Sequence, residues 1–177
     1  MSRVRSVGRN VLRKEGVAKA TGTARYVDDL VFPGLLHGRT IRSSISSGEV
    51  IGVKLDFDRS GFTIVDYRDI PGRNVVALID DDQPCLAADV IRHAAEPILL
   101  LAHENRERLL EVDPQIEYRE TTPHFDPDTS PKSFKQIAID KGNIDRGFAM
   151  ADLIVEGEYR VGHQEQLYIE TNGVIAV

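Results

Sequence analysis

The chain has 177 residues, 41% of them hydrophobic and 28% charged, with a formal net charge of −6. That length and mix describe one folded domain, or one domain and a piece of a second, and exclude global disorder. The acidic balance argues against a nucleic-acid surface, which needs a basic field, and no apolar run approaches the roughly 18 residues of a membrane span.

Basic residues gather only at the opening: Arg3, Arg5, Arg9, Arg13, Lys14 and Lys19. No aromatics are interleaved, so the stretch reads as a solvated leader lying on a larger partner surface rather than a nucleic-acid or membrane arm. No signal-peptide core follows. Thr21 to Tyr26 is a turn leading into an extended piece. Pro33-Gly34 is a turn signal, and Leu35 to Arg42 alternates as a strand. Glu49 to Asp56 is a second strand. Asp58 to Gly61 turns, Phe62 to Val65 is a short strand, and Tyr67 to Gly72 is a helical turn and stop. Val75 to Ile79 is strand-like.

Ile98 to Ala102 is apolar throughout and too short for a buried helix, so it reads as a central strand covered on both faces. Glu104 to Val112 reads as a helix with Leu109, Leu110 and Val112 on its apolar side, ended by Asp113-Pro114. Gln115 to Arg119 is a strand with Ile116 and Tyr118 on one face. Glu120 to Ser133, rich in Pro, Asp and Thr, is a linker or crossing segment. A new unit starts at Ile139, with a short helix over Asn143 to Ala149. Strands are expected over Leu153 to Val161, Leu167 to Ile169 and Gly173 to Val177. A strand pattern running to Val177 suggests a chain cut from a larger protein or completed by another subunit.

The residues that could carry chemistry do not converge in sequence. Asp80, Asp81 and Asp82 alternate in direction on an extended chain and read as a solvated turn rather than a cation site. Asp28 or Asp29 is placed to cap a turn. His37, His93, His103, His124 and His163 have no zinc-ligand spacing. The polar run from His163 to Gln166 reads as the lead-in to a strand with hydrogen-bonded amides rather than a substrate or cofactor loop. Cys85, the single cysteine, cannot form an internal disulfide or a thiolate cluster, and reads as a buried, inert thiol. No dinucleotide fingerprint, phosphate loop or nucleophile elbow occurs.

An ordered set of short stretches nevertheless resembles one family. Gly22-Thr23-Ala24-Arg25-Tyr26-Val27-Asp28-Asp29-Leu30 is followed by Pro33-Gly34-Leu35-Leu36-His37-Gly38. Ile41 to Val50 is similar to the family's RSPHAHARI segment, with Ser44, Ile45 and Ser46 in place of its Pro and His. Asp69-Ile70-Pro71-Gly72-Arg73-Asn74 matches a DIPG-x-N stretch, and Asp82 to Ala87 a D-x-P-x-LA stretch. Val90 to Ile98 is similar to V-x-Y-x-GEPVA, with Ala95 where Gly is usual. Ile116-Glu117-Tyr118, Gly142-Asn143, Val155 to Tyr159 and Gln164 to Glu170 continue the order, with Asn143 for Asp and Gln166 for His. The set resembles the N-terminal part of the large subunit of xanthine dehydrogenases and aldehyde oxidases, the molybdenum hydroxylases.

That resemblance implies an α/β (α+β) fold. A leader over 1–15 would be followed by an α/β hammerhead domain over 16–122 and a linker over 123–138. The beginning of a molybdopterin-binding domain would occupy 139–177. It implies an oxidoreductase that hydroxylates an aldehyde or N-heterocycle on a molybdenum-molybdopterin cofactor, with 2Fe-2S and FAD on partner subunits or domains. The expected partners are the rest of the molybdenum-binding subunit and the iron-sulfur and FAD subunits, in the cytoplasm, with no nucleic acid. The family's general-base glutamate and pterin loops have no counterpart before Val177. No catalytic, cofactor-binding or metal residue is therefore assigned, and Glu165 and Glu170 belong to a structural strand motif. The segment alone is expected to be inactive. A fragment, a split subunit and a degenerate remnant all fit, and the alternative function is a non-enzymatic scaffold or interaction module.

Overall fold

A computed structural model describes residues 7–76, 80–133, 135–162, 164–169 and 172–177. The chain forms two compact units, Phe32–Gln136 and a second made of Met1–Val31 with Ile137–Val177.

The unit Phe32–Gln136 holds two three-stranded antiparallel sheets. The first is ordered β1-β5-β3, from His37–Arg42, Pro97–His103 and Thr63–Val65. The second is ordered β4-β2-β6, from Val90–Ile91, Gly48–Lys54 and Gln115–Glu120. The apolar run around Leu99 takes the centre of its sheet because it alone can bury side chains along its length. Only one of its faces is fully covered. Leu99, Leu101 and His103 are buried, whereas Leu100 on the other face is 37% exposed. Its neighbours across that face are Thr40 and Val65.

Helix α2 (Arg106–Glu111) crosses from β5 to β6, shorter than the expected Glu104 to Val112. Asn105 caps it: its Oδ1 accepts from the N–H groups of Glu107 at 2.8 Å and Arg108 at 3.1 Å. At the other end, Arg39 Nη1 donates to the carbonyls of Leu109 at 3.2 Å and Val112 at 2.6 Å, which have no helical partner. Leu109 is buried, but Leu110, expected beside it, is 61% exposed, because its direction on the helix turns it away from β1 and β5. Leu109 joins Ile41, Ala87, Ile91, Ile98, Leu99 and Leu101 in one core, flanked by half-buried Phe57, Phe62, Ile116 and Tyr118.

In the other unit, α1 (Gly16–Ala20) is a single turn that closes the basic opening stretch. A 3₁₀ turn spans Val27–Asp29, and α3 (Ile144–Ala149) is capped by Asn143, whose Oδ1 accepts from the Arg146 N–H at 2.8 Å. Gly173 passes close to the Val27 side chain, where a Cβ would lie 2.8 Å from the nearest atom. Among the described residues of this unit none is buried. The strands expected over 153–161, 167–169 and 173–177 are not formed: these residues have no ladder partner among those described. Val75 and Val76 likewise lie outside any strand, and residues 77–79 of that expectation lie outside the described residues.

Candidate functional site

Within the unit Phe32–Gln136, three of the stretches that carry the resemblance, 69–74, 82–87 and 90–98, and Ser43 are joined by loop-to-loop stitches that lead to the start of β5. The DIPG-x-N stretch begins on a 3₁₀ turn, Tyr67–Asp69, held by two carboxylates. Asp69 Oδ2 accepts from the Asp66 N–H at 2.8 Å, and Asp66 Oδ1 accepts from the Arg68 N–H at 2.8 Å. The Arg68 guanidinium closes on the Asp66 carboxylate, with Nε donating to Oδ1 at 3.0 Å. This side-chain contact, helped by the backbone N–H of Arg68, holds the Asp66 carboxyl below the usual carboxylate range against the opposing effect of partial burial.

Asn74 then joins this stretch to the next. Its Nδ2 donates to the Leu86 carbonyl at 2.7 Å while its Oδ1 accepts from the Leu86 N–H at 3.1 Å. The amide thus imitates a paired strand residue where neither backbone forms a strand. Ala87, buried, passes the connection on by donating to the Pro97 carbonyl at 2.7 Å.

At the start of β5 the stitches become denser. Ser43 N–H donates to the Glu96 carbonyl at 2.8 Å, and Ala95 N–H donates to the Ser43 carbonyl at 3.0 Å. Arg42 Nη1 donates to the Ala95 carbonyl at 3.0 Å. Glu96 is almost fully buried. Its Oε2 accepts from the Arg92 N–H at 2.6 Å, and its Oε1 lies 3.4 Å from Arg92 Nη1. A buried carboxylate is tolerated only with such partners. Ser43 Oγ is engaged as well, donating to the Ile45 carbonyl at 2.8 Å and accepting from the Ile45 N–H at 3.1 Å. Its hydroxyl is a loop brace rather than a nucleophile.

The other singled-out residues are also in structural use. Asp29, not Asp28, caps its turn, accepting from the Tyr26 N–H at 2.9 Å. Asp81 pairs with Arg73. Cys85, expected to be buried, is half-buried. His103 is buried against Phe62, with ring centroids 4.5 Å apart, and its Nδ1 accepts from the Asn105 N–H at 2.8 Å. The β1–β5 register sets His37 opposite His103, a pairing that sequence spacing hides because 66 positions separate the two. His163 and Glu170 lie outside the described residues, and Glu165 Oε1 accepts from the Gln166 N–H at 3.1 Å.

Beside this network, residues 39–42 of β1 and 113–116 of the β6 approach wall a cleft of about 320 Å³, together with Tyr118. Among the described residues no three His, Cys, Asp or Glu side chains converge on a metal position. Nor does any buried side-chain nitrogen or oxygen lack a partner there. Among the described residues the buried polar side chains are thus taken up by one another and by the backbone.

The family model for the aldehyde oxidase and xanthine dehydrogenase a/b hammerhead domain matches residues 21–120, and that for the molybdopterin cofactor-binding domain matches 125–177. The chain belongs to the aldehyde oxidase and xanthine dehydrogenase family, as an α/β hammerhead domain followed by the start of the cofactor-binding domain. It is 31% identical to a probable xanthine dehydrogenase subunit of Bacillus subtilis (strain 168), over 94% of this chain and 24% of that protein. It is 26% identical to the nicotinate dehydrogenase large molybdopterin subunit of Eubacterium barkeri, over 96% of this chain and 44% of that one. The chain thus spans less than half of either relative's length. Among solved structures, quinoline 2-oxidoreductase from Pseudomonas putida 86 shares 25% identity with a TM-score of 0.53, over 67% of this chain and 17% of that one. CO dehydrogenase from Oligotropha carboxidovorans, at 20% identity and a TM-score of 0.58 over 68% and 16%, shows the same fold.

Proposed function

We propose that this chain is the opening part of the molybdenum-binding subunit of an oxidoreductase that hydroxylates an aldehyde or an N-heterocycle. Its role there is structural. The hammerhead domain, over 16–122, braces the catalytic domains, a linker follows over 123–138, and 139–177 begins the domain that holds the pterin. In the complete enzyme a molybdenum-molybdopterin cofactor would supply the oxygen transfer and take up the electrons, with 2Fe-2S and FAD on partners in the cytoplasm. No residue of this chain is assigned a catalytic, cofactor or metal role.

One observation carries the reading. In the unit Phe32–Gln136, Asn74, Ala87, Ser43 and Glu96, all within stretches that resemble the family, hold loops to one another. A domain whose most recognisable residues are spent on its own loops serves as a rigid brace.

Copurification tests the proposal. The chain, tagged and expressed together with the products of its neighbouring genes, is expected to retain a larger polypeptide with iron, flavin and molybdenum through gel filtration. Recovery of the chain with no such partner would count against the reading and favour a free-standing scaffold.

A further inference from the structure

Strands β1 and β6 each have one side bonded, to β5 and to β2, and on the other side neither has a ladder partner among the described residues. Both border the same cleft. Residues 39–42 line it as a run within β1; on the other wall Asp113 and Pro114 precede β6, and Gln115, Ile116 and Tyr118 belong to it, with Ser44 between the walls. Successive side chains of a strand point to opposite faces, so an unbroken run can line one cleft only where the cleft meets the strand's edge. The cleft therefore meets the open edge of β1, whose N–H and C=O groups are a template for another extended chain.

The charge at its walls is uneven. Arg39 and Arg42 face a single carboxylate, Asp113, which already accepts from Gln115 Nε2 at 2.9 Å. Each arginine uses only Nη1 within the described residues, Arg39 toward the end of α2 and Arg42 toward Ala95. Their remaining N–H donors are left for an acceptor, and a carboxylate matches a guanidinium better than any neutral group.

We propose that this cleft takes an extended, acidic segment of a second polypeptide, laid as an added strand along the open edge of β1 with β6 as the facing wall. Backbone pairing supplies the affinity, and Arg39 and Arg42 select carboxylate-bearing side chains. The proposal does not depend on the oxidoreductase reading, because it rests on a strand edge and charge alone.

The test is a nuclear magnetic resonance titration of the full ¹⁵N-labelled chain with a capped peptide of alternating valine and glutamate. Two controls accompany it: the same peptide with lysine for glutamate, and succinate. The valine–glutamate peptide is expected to shift the amide resonances of residues 39–42 and 115–118 and to slow their exchange. The lysine peptide is expected to bind about tenfold more weakly. Arg42→Gln, which keeps a donor for Ala95 but loses the charge, is expected to weaken glutamate-peptide binding by about the same factor. Absence of shifts in the two strands, shifts centred elsewhere, or equal binding of the two peptides would overturn the proposal. So would wild-type affinity in Arg42→Gln. Succinate reproducing the whole pattern would also overturn it, by making the cleft a small-anion pocket instead.

Discussion

Ala95 has a φ of +61°, in the left-handed region that favours glycine. It stands where the family usually has Gly, and the structure gives the physical reason: the chain must turn sharply so that Ala95 and Glu96 can both meet Ser43. A Cβ in this conformation costs about 1–2 kcal/mol, partly offset in glycine by its greater freedom when unfolded. Ala95→Gly is therefore expected to stabilise the chain by about 0.5–1 kcal/mol, seen as a higher urea midpoint with an unchanged slope. Asn74 gives a change of opposite sign. Removing both of its hydrogen bonds to Leu86 in Asn74→Ala should cost about 2 kcal/mol, and Asn74→Asp, which sets a carboxylate oxygen against the Leu86 carbonyl, should cost at least as much. Equal stability of all three proteins would show that the clamp does nothing. Sequence marked Asn74 and Ala95 as parts of motifs, but not their work, because their partners lie on other loops. His103 was less legible still, since only the β1–β5 register brings His37 opposite it.

At the level of elements, strands β1, β2, β3, β5 and β6 and helix α2 were legible from alternation, from the apolar run at 98–102 and from Asp113-Pro114. Strand β4 was not, because two residues carry no period. Helix α1 was not, because it buries no apolar face. The second face of β5 was expected to be covered, yet Leu100 is exposed, since an all-apolar run does not say where its covering layer comes from. Helix α2 is only six residues long and depends on its two ends. Asn105→Ala is expected to cost about 1 kcal/mol and to raise hydrogen exchange selectively over 106–111. The turn at Tyr67–Asp69 carries a pH signature. Asp66 has its folded pKa lowered by Arg68, so the stability it contributes is present above the ordinary carboxylate pKa and is lost as pH falls through the lowered value. Below about pH 4 the wild type should lose stability more steeply than Asp66→Asn, in urea midpoints measured across the acid range. Parallel profiles would remove the contact from the account.

Over the whole molecule, the two units differ in how they are built. Among the described residues, Phe32–Gln136 has a buried core of seven apolar residues, whereas the other unit has none buried. Leu153, Val155, Tyr159, Val161, Leu167 and Ile169 are each at least 80% exposed. The alternating pattern there was legible as strand, but a strand exists only with a ladder partner, and the described residues supply none. These apolar side chains should make the full chain bind more of a fluorescent hydrophobic dye than a version ending at Thr122. The proposed division between this chain and the rest of the subunit is read most directly by molybdenum and pterin per chain, on the 177 residues purified alone. Neither is expected, with about one of each appearing only when the rest of a molybdenum-binding subunit copurifies. Stoichiometric molybdenum on the isolated chain would contradict it.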